Sequence, residues 1–205
     1  MREAPTEERS RERIERVAVR LFARYGYEGV SLQRIADEAG LHKSTLFHHY
    51  TSKLELLDSV LNDVVERVLE CTRPLSEERR PELETLLDVV DSLVDHFSEE
   101  PEAARLVVHA MTAPDDSEMR HAGSIERVVA FFSSVLGWLE RARRLGVIRK
   151  LSIRQAIPNV MGLVLFYPAV ASDLAELVGE VPFSARAREV RKAELRRLLR
   201  GMLTD

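Results

Sequence analysis

Cysteine is almost absent from the sequence, and that absence limits the kinds of site it can carry. One cysteine among 205 residues, Cys71, excludes an intramolecular disulfide and fits a reducing compartment. Its position suits either a small apolar residue on a helix or a redox-sensitive thiol, and the surrounding pattern does not choose between them. The six histidines lack cysteine or carboxylate partners at zinc-ligand spacing, so we expect no metal and no other cofactor.

Long apolar runs are also missing. The longest, residues 156–171, is interrupted by two prolines, an asparagine and a glycine. It falls short of the roughly 20 apolar residues that cross a membrane. The first twenty residues are charged throughout, unlike a secretory signal peptide. These features predict a cytoplasmic protein with no membrane partner.

The first part of the chain has almost no net charge. The net charge of −4 argues at first against a polyanionic partner. Residues 1–55 carry 10 Lys and Arg against 9 Asp and Glu, however, whereas residues 56–205 carry 20 against 25. The acidic excess therefore lies in the second part, and the first part can still present a basic face.

What the sequence does have is helical periodicity from end to end, with no credible strand pattern. It predicts an all-α fold of about nine helices, in which Ser31, Ser52 with Glu55, and Ser152 with Gln155 cap helix starts. Pro158 and Pro168 should kink the helix that they interrupt. The predicted helices are 7–25, 32–39, 42–50, a long one that opens at 52 and ends before a loop at 71–82, then 82–98, 101–112, 117–145, 152–178 and 184–203.

The spacing of Ala36, Gly40 and Leu46 is that of a helix-turn-helix. A small residue at 36 lets two helices approach closely, the glycine makes the turn, and Leu46 locks the next helix against the first. That arrangement projects the outer face of the second helix, and such a face can enter a DNA major groove.

Polar side chains concentrate on the outer face of that second helix. Lysine, serine, threonine and histidine there can bond to base edges or phosphates. The proposed readers are Lys43, Ser44, Thr45 and His48, and the proposed phosphate contacts are Ser31, Arg34, Ser52 and Lys53. Phe47, His49 and Tyr50 fit either DNA contact or packing beneath the helix.

Residues 10–61 resemble the DNA-binding domain of the TetR family of bacterial transcriptional regulators. The resemblance lies in the stretch AVRLFARYGYEGVSLQRIADEAGLHKSTLFHHYTSKLELLDSVL. It implies a helix-turn-helix domain at 1–52 and a larger helical domain at 53–205 that binds ligand and dimerises. Three residues depart from the family pattern: His42 replaces a usual Ser or Thr cap, Ser44 a frequent glycine, and Phe47 a common tyrosine.

The resemblance also implies sites in the second domain. A ligand pocket needs apolar and aromatic side chains, and a dimer interface between the last two helices needs small and apolar ones. Pocket candidates are Phe97, His109, Met111, Phe131, Trp138, Met161, Phe166 and Tyr167; interface candidates are Gly162, Ala169, Val190, Leu195, Leu198, Leu199 and Met202.

Together these patterns predict a homodimeric regulator, most simply a repressor that an apolar or aromatic small molecule releases from a pseudo-palindromic double-stranded DNA operator. An activator, or a ligand-independent DNA-binding protein of the same fold, is the alternative. An all-α lipid-binding module or enzyme is a more distant one. No Ser/His/Asp, Cys/His, paired-carboxylate or phosphate-loop pattern is present, so no catalytic residue is predicted.

Overall fold

The computed structural model describes residues 7–114, 117–118, 125–179 and 181–204, and within them the chain forms nine α-helices and no strand. This confirms the all-α prediction. The helices are α1 (Glu7–Tyr25), α2 (Leu32–Ala39), α3 (Lys43–His49), α4 (Lys53–Glu77), α5 (Leu83–Glu99), α6 (Pro101–Thr112), α7 (Ile125–Arg144), α8 (Ile153–Val178) and α9 (Ala185–Leu203).

The largest difference from the sequence prediction is the length of α4. The segment 71–82, predicted as a loop, is helical as far as Glu77, and Pro74 lies inside the helix. Thr72 and Leu75 are buried there, so packing outweighs the hydrogen bond that proline removes. The predicted start of the seventh helix at 117 is also wrong, because α7 begins at Ile125. Residues 119–124 of that prediction lie outside the described part.

Two hydrophobic cores share α4. The first two turns of that helix, with Leu56 and Leu57, pack with α1–α3 and with Leu106 of α6. Farther along, Val64 and Leu75 join the larger core formed by α5, α7, α8 and α9. The predicted division between 52 and 53 falls at the start of this shared helix, which links the two cores as one rigid element.

The predicted helix caps have different outcomes. Ser31 caps α2 as predicted, since its side chain accepts a hydrogen bond from the Arg34 N–H at 3.2 Å. Ser52 likewise accepts from the Glu55 N–H at 3.0 Å, and the Glu55 carboxylate accepts from the Thr51 N–H at 2.7 Å. Ser152 occupies the N-cap position of α8 as predicted, but its side chain makes no capping hydrogen bond.

An ionic seam joins α5 to α9. Arg196 bonds to Asp88 and, at 2.8 Å, to Asp91, while Lys192 bonds to Asp95 at 2.7 Å. One helical turn on, Arg200 reaches Glu84 at 2.6 Å. These pairs hold the inner side of α9 against its own subunit.

Helix α8 exposes large apolar side chains, among them Phe166, Leu174 and Leu177. The segment Ile153–Ala175 is long and apolar enough to cross a membrane by length and composition, although only 22% of it is buried in the monomer. Pro158 and Pro168 lie inside this helix, which continues through both. A helix that packs one face on the core and leaves another apolar face uncovered has the same length and composition.

Candidate nucleic-acid interface

The turn between α2 and α3 is built around Gly40. Its backbone has φ +64°, a left-handed conformation that glycine adopts without strain. The Gly40 N–H donates to Asp37 O and the Leu41 N–H donates to Ala36 O, both at 3.0 Å, which is a Schellman motif. A Cβ at position 40 would lie 3.0 Å from Arg13 Nη2, which donates to the Ala39 carbonyl. The glycine therefore fixes the angle between the two helices.

Helix α3 is anchored on one side only. Leu46 is fully buried, and Leu41 packs beside it at the edge of the core. His42 stands at the N-cap position without a side-chain hydrogen bond, which confirms the weaker cap expected there. The outer side of the helix is therefore free to meet a partner.

The exposed side of α3 carries most of the predicted readers. Lys43, Ser44 and His48 are exposed, and Thr45 is half-buried. Phe47 is 43% exposed, so it lies outside the core, and the Lys43 ammonium is 5.4 Å from its ring centre. A cation, two hydroxyls, a histidine and an aromatic ring thus share one narrow surface, which is the chemistry that reads base edges and phosphates.

The two residues at the end of this surface behave differently. His48 Nε2 lies 3.0 Å from the Glu7 carboxylate at the start of α1. His49 is half-buried, with its ring centre 5.6 Å from that of His48. A carboxylate therefore borders the surface that would face phosphates.

Tyr50 does not reach the surface, so its assignment as a DNA contact is corrected. It is 3% exposed, and its hydroxyl donates to Glu15 at 2.5 Å and lies 3.4 Å from the Ser59 hydroxyl. Burial raises the pKa of Tyr50, and the hydrogen bond to the Glu15 carboxylate raises it further. The tyrosine fastens the end of α3 to α1 and α4.

Two of the predicted phosphate contacts, Arg34 and Lys53, are cations that pack against aromatic rings. The Arg34 guanidinium lies 4.0 Å from the Tyr25 ring centre, and its Nε donates to Glu38 at 3.2 Å. Lys53 Nζ donates to the Tyr27 carbonyl at 3.1 Å and lies 4.0 Å from the centre of the Tyr27 ring. Ser31 and Ser52 are exposed and use their side chains as helix caps.

Tyr27 is a residue of this region that the sequence did not reveal. Its hydroxyl donates to Glu118, 91 positions away, at 2.5 Å. Burial raises the pKa of Tyr27, and the bond to the Glu118 carboxylate adds to that rise. A contact so remote in sequence leaves no local pattern, and only the "YGY" aromatic spacing in the loop could have drawn attention to it.

A cavity of about 230 Å³ lies in the second core, between α4, α5, α6, α7 and α8. Phe97, Met111, Phe131 and Met161 line it, as predicted. The other four pocket candidates do not line it. Trp138 is buried and donates to Glu78 at 2.8 Å, Phe166 is 64% exposed, Tyr167 packs beside Phe183 and Arg191, and His109 Nδ1 is buried without a partner among the described residues.

The predicted dimer residues divide by exposure. Gly162, Val190 and Leu198 are exposed on α8 and α9, and Met202 is half-buried. Ala169, Leu195 and Leu199 are buried within the subunit, so their assignment to the interface is corrected. Leu195 and Leu199 face inward because α9 packs against α5 with that side.

Metal and thiol chemistry find no support in the part of the chain that the structure describes. No group of three or more His, Cys, Asp or Glu side chains is placed there to hold a metal ion. Cys71 is half-buried, and burial raises the pKa of its thiol, which keeps it protonated at neutral pH.

Comparison with known proteins relates the helix-turn-helix region to a family model. Residues 14–60 match the family model described as bacterial regulatory proteins, tetR family. Over 90 residues the chain is 29% identical to the HTH-type transcriptional activator FasR of Mycolicibacterium smegmatis, covering 44% of this chain and 41% of FasR. It is 25% identical to the uncharacterized regulator YerO of Bacillus subtilis over 112 residues, 54% of this chain and 39% of YerO. The chain thus spans less than half the length of these two relatives.

Solved structures share the fold over more than nine-tenths of the chain. The TetR-family regulator PfmR from Thermus thermophilus superposes with a TM-score of 0.71 at 24% identity, covering 93% of this chain and 95% of PfmR. The ketosteroid transcriptional regulator KstR2 of Mycobacterium tuberculosis gives 0.74 at 17% identity, covering 95% of both chains. The fold and the exposed α3 surface define a helix-turn-helix protein. Its residues 14–60 match the TetR family model, and a solved TetR-family regulator shares its fold over most of the chain.

Proposed function

We propose that this chain is a cytoplasmic, dimeric transcriptional regulator that binds a pseudo-palindromic DNA site and, as a repressor, leaves it when a small molecule fills the cavity. The exposed face of α3 carries this proposal. Lys43, Ser44, Phe47 and His48 project from a helix whose other side is fixed by Leu46. A cation and hydroxyls on a rigid outer helix suit a major groove.

Dimerisation gives the two reading helices their spacing. Exposed apolar side chains on the outer side of α8 and α9, among them Phe166, Leu177, Val190 and Leu198, support an interface there. An isologous pair would present two copies of α3 to successive major grooves, roughly 34–36 Å apart on one face of the duplex. TetR-family regulators bind operator DNA and form dimers, in agreement with this arrangement.

Binding of a small molecule in the cavity would control DNA binding. A ligand shifts DNA affinity only if it binds the DNA-competent and the released conformers with different affinity. Helix α4 lines the cavity with Val65 and Val68 and begins at Lys53 beside the α3 surface. A change in the tilt of this one helix on ligand binding would therefore move Lys53 and alter the spacing of the reading helices.

An activator is the second candidate, and a relative favours it. FasR, which is 29% identical over its matched region, is named a transcriptional activator. The same DNA-binding head serves either role, since the direction of regulation depends on where the site lies relative to the promoter. Transcription in vitro from a template carrying the selected site, with and without the protein, separates the two.

The first test is selection of bound duplexes from a random pool at low salt, using the full chain. We expect an enriched pseudo-palindrome whose half-sites lie one helical turn apart. The Lys43→Ala, Thr45→Ala double variant should lose that binding while it remains a folded dimer, and Lys150→Ala, an exposed lysine outside α3, should keep it. Failure of the protein to bind any duplex at low salt would end the proposal.

A further inference from the structure

The cavity in the second core has an unusual chemical uniformity. It is lined from five helices, and every described lining side chain except that of Thr72 is apolar. No charged, amide, imidazole or phenol group of the described residues faces it. Pockets that recognise polar ligands normally contain a few placed polar groups that fix orientation, and the described part of this lining lacks them.

The one hydroxyl in the described lining is already engaged. Thr72 Oγ1 lies 3.1 Å from the Val68 carbonyl and 3.2 Å from the Leu69 carbonyl of its own helix. Its single proton is therefore spent on the α4 backbone, and it has no second proton to donate. A ligand carbonyl, carboxylate or phosphate would find no donor among the described residues that line the cavity.

The size of the cavity and its opening to the surface also bear on the ligand. A cavity of roughly 150 Å³ with an apolar lining is large enough to bind benzene, and this one measures about 230 Å³. Met111, at the end of α6, both lines the cavity and is 45% exposed. The cavity therefore reaches the surface beside Met111, where a polar group could remain in water.

We propose that the effector is an amphiphile whose hydrocarbon tail alone fills this cavity, with its polar head left outside near Met111. This inference rests on the proposed function, because it takes the cavity to be the effector site. Specificity then comes from tail length and shape. Each methylene that enters raises affinity about fourfold until the space is full. A second polar group at the far end of the tail is excluded, because it would be buried without a partner.

The test uses n-hexanol, n-octanol, n-decanol and 1,10-decanediol as probes, with affinities measured by titration calorimetry on the full chain without DNA. We expect affinity to rise about fourfold per methylene along the alcohols. We expect 1,10-decanediol to bind at least about tenfold more weakly than n-decanol. Affinity that does not depend on chain length, or a diol that binds as well as the alcohol, overturns the proposal.

Two matched variants place the site. Val160 and Val170 are both half-buried valines of α8, but only Val160 lines the cavity. Val160→Phe should weaken n-decanol binding at least about tenfold by filling the space, whereas Val170→Phe should leave it unchanged. Circular dichroism melts confirm that both variants fold, and equal effects of the two overturn the assignment.

A third variant tests the absence of a polar contact. Thr72→Val replaces the engaged hydroxyl by a methyl group, so n-decanol affinity should stay within about twofold. A loss of about tenfold or more would reveal a hydrogen bond to the ligand and contradict the proposal.

A DNA-binding assay on the same preparation distinguishes failure of the proposed function from failure of the proposed tail site. If the alcohols bind as expected but no duplex is bound, the proposed function fails and the tail site stands. If a duplex is bound and no alcohol binds, the tail site alone fails.

Discussion

At the scale of single residues, Tyr27 holds Lys53 in place and joins it to the second domain. The lysine ammonium lies against the tyrosine ring and carbonyl, and the tyrosine hydroxyl bonds to Glu118. Glu118 lies a few residues after the end of α6, close in sequence to cavity-lining Met111. Tyr27 thus contacts both Lys53, which is proposed to bind a DNA phosphate, and Glu118, in the segment that follows α6.

Removing the tyrosine hydroxyl isolates one of these contacts. Tyr27→Phe keeps the ring against Lys53 and deletes the hydrogen bond to Glu118, so we expect the free energy of unfolding to fall by about 1 kcal/mol. Glu118→Gln should cost a similar amount, and the double variant should cost less than the sum of the two. Urea denaturation measures all three, and strict additivity would mean that the pair does not interact.

The carboxylate of Glu7 sits next to His48 on the reading surface. A negative charge there repels phosphates, so Glu7→Gln should raise DNA affinity several-fold at low salt, with the gain shrinking as salt rises. Fluorescence anisotropy on the selected duplex measures this. Glu189→Gln, an exposed glutamate of α9, is the control and should not change the affinity. Weaker binding by Glu7→Gln would contradict the geometry.

His96 makes folding sensitive to mild acid. Burial lowers the pKa of His96 in the folded protein, and the nearby Arg67 charge opposes protonation as well, although Glu100 works the other way. The unfolded chain, with an ordinary histidine pKa, therefore binds the proton more readily. The histidine's contribution to stability is present above about pH 6.5 and is lost as the pH falls below it. His96→Gln should flatten that dependence in unfolding curves between about pH 5 and 8, and an unchanged slope would contradict the assignment.

At the scale of elements, the angle between α2 and α3 depends on the backbone of Gly40. Gly146 provides a matched comparison, since it has φ +73° with nothing near its missing Cβ. Gly40→Ala and Gly146→Ala should each lose about 1–2 kcal/mol from left-handed strain. Only Gly40→Ala displaces Arg13, so only it should also weaken DNA binding. Thermal unfolding and anisotropy separate the two effects, and equal DNA affinity would contradict this role.

The same elements show what the sequence could predict. Ser31 caps a helix, Gly40 forms the turn and Leu46 anchors α3. These roles depend mostly on local sequence, and the structure places all three residues as expected. Pro74 misled the prediction because its local penalty is outweighed by burial of Leu75, which depends on distant helices. Trp138, Phe166 and Tyr167 failed as pocket residues for a related reason. An aromatic on an amphipathic helix can face the core, a cavity or solvent, and periodicity does not tell which.

At the scale of the whole molecule, the uncovered side of α8 and α9 should decide the oligomeric state. Leu198 on α9 and Leu145 after α7 are both exposed leucines, but only Leu198 lies on the proposed interface. Leu198→Glu should give a folded monomer with strongly reduced operator binding, whereas Leu145→Glu should remain dimeric. Sedimentation analysis measures this. A Leu198→Glu protein that remains a dimer would locate the interface elsewhere.

The ionic seam between α5 and α9 also bears on how the molecule responds to heat. Desolvation of charged groups costs less as temperature rises, so a network of paired charges keeps its value when other contacts lose theirs. Arg196, Lys192 and Arg200 form such a network along one side of α9, whereas α3 is held mainly by buried Leu46, the Gly40 turn and the Tyr50–Glu15 hydrogen bond. On warming, the DNA-reading head should loosen first, and α5 and α9 should stay paired, so operator binding is lost below the temperature at which the dimer comes apart.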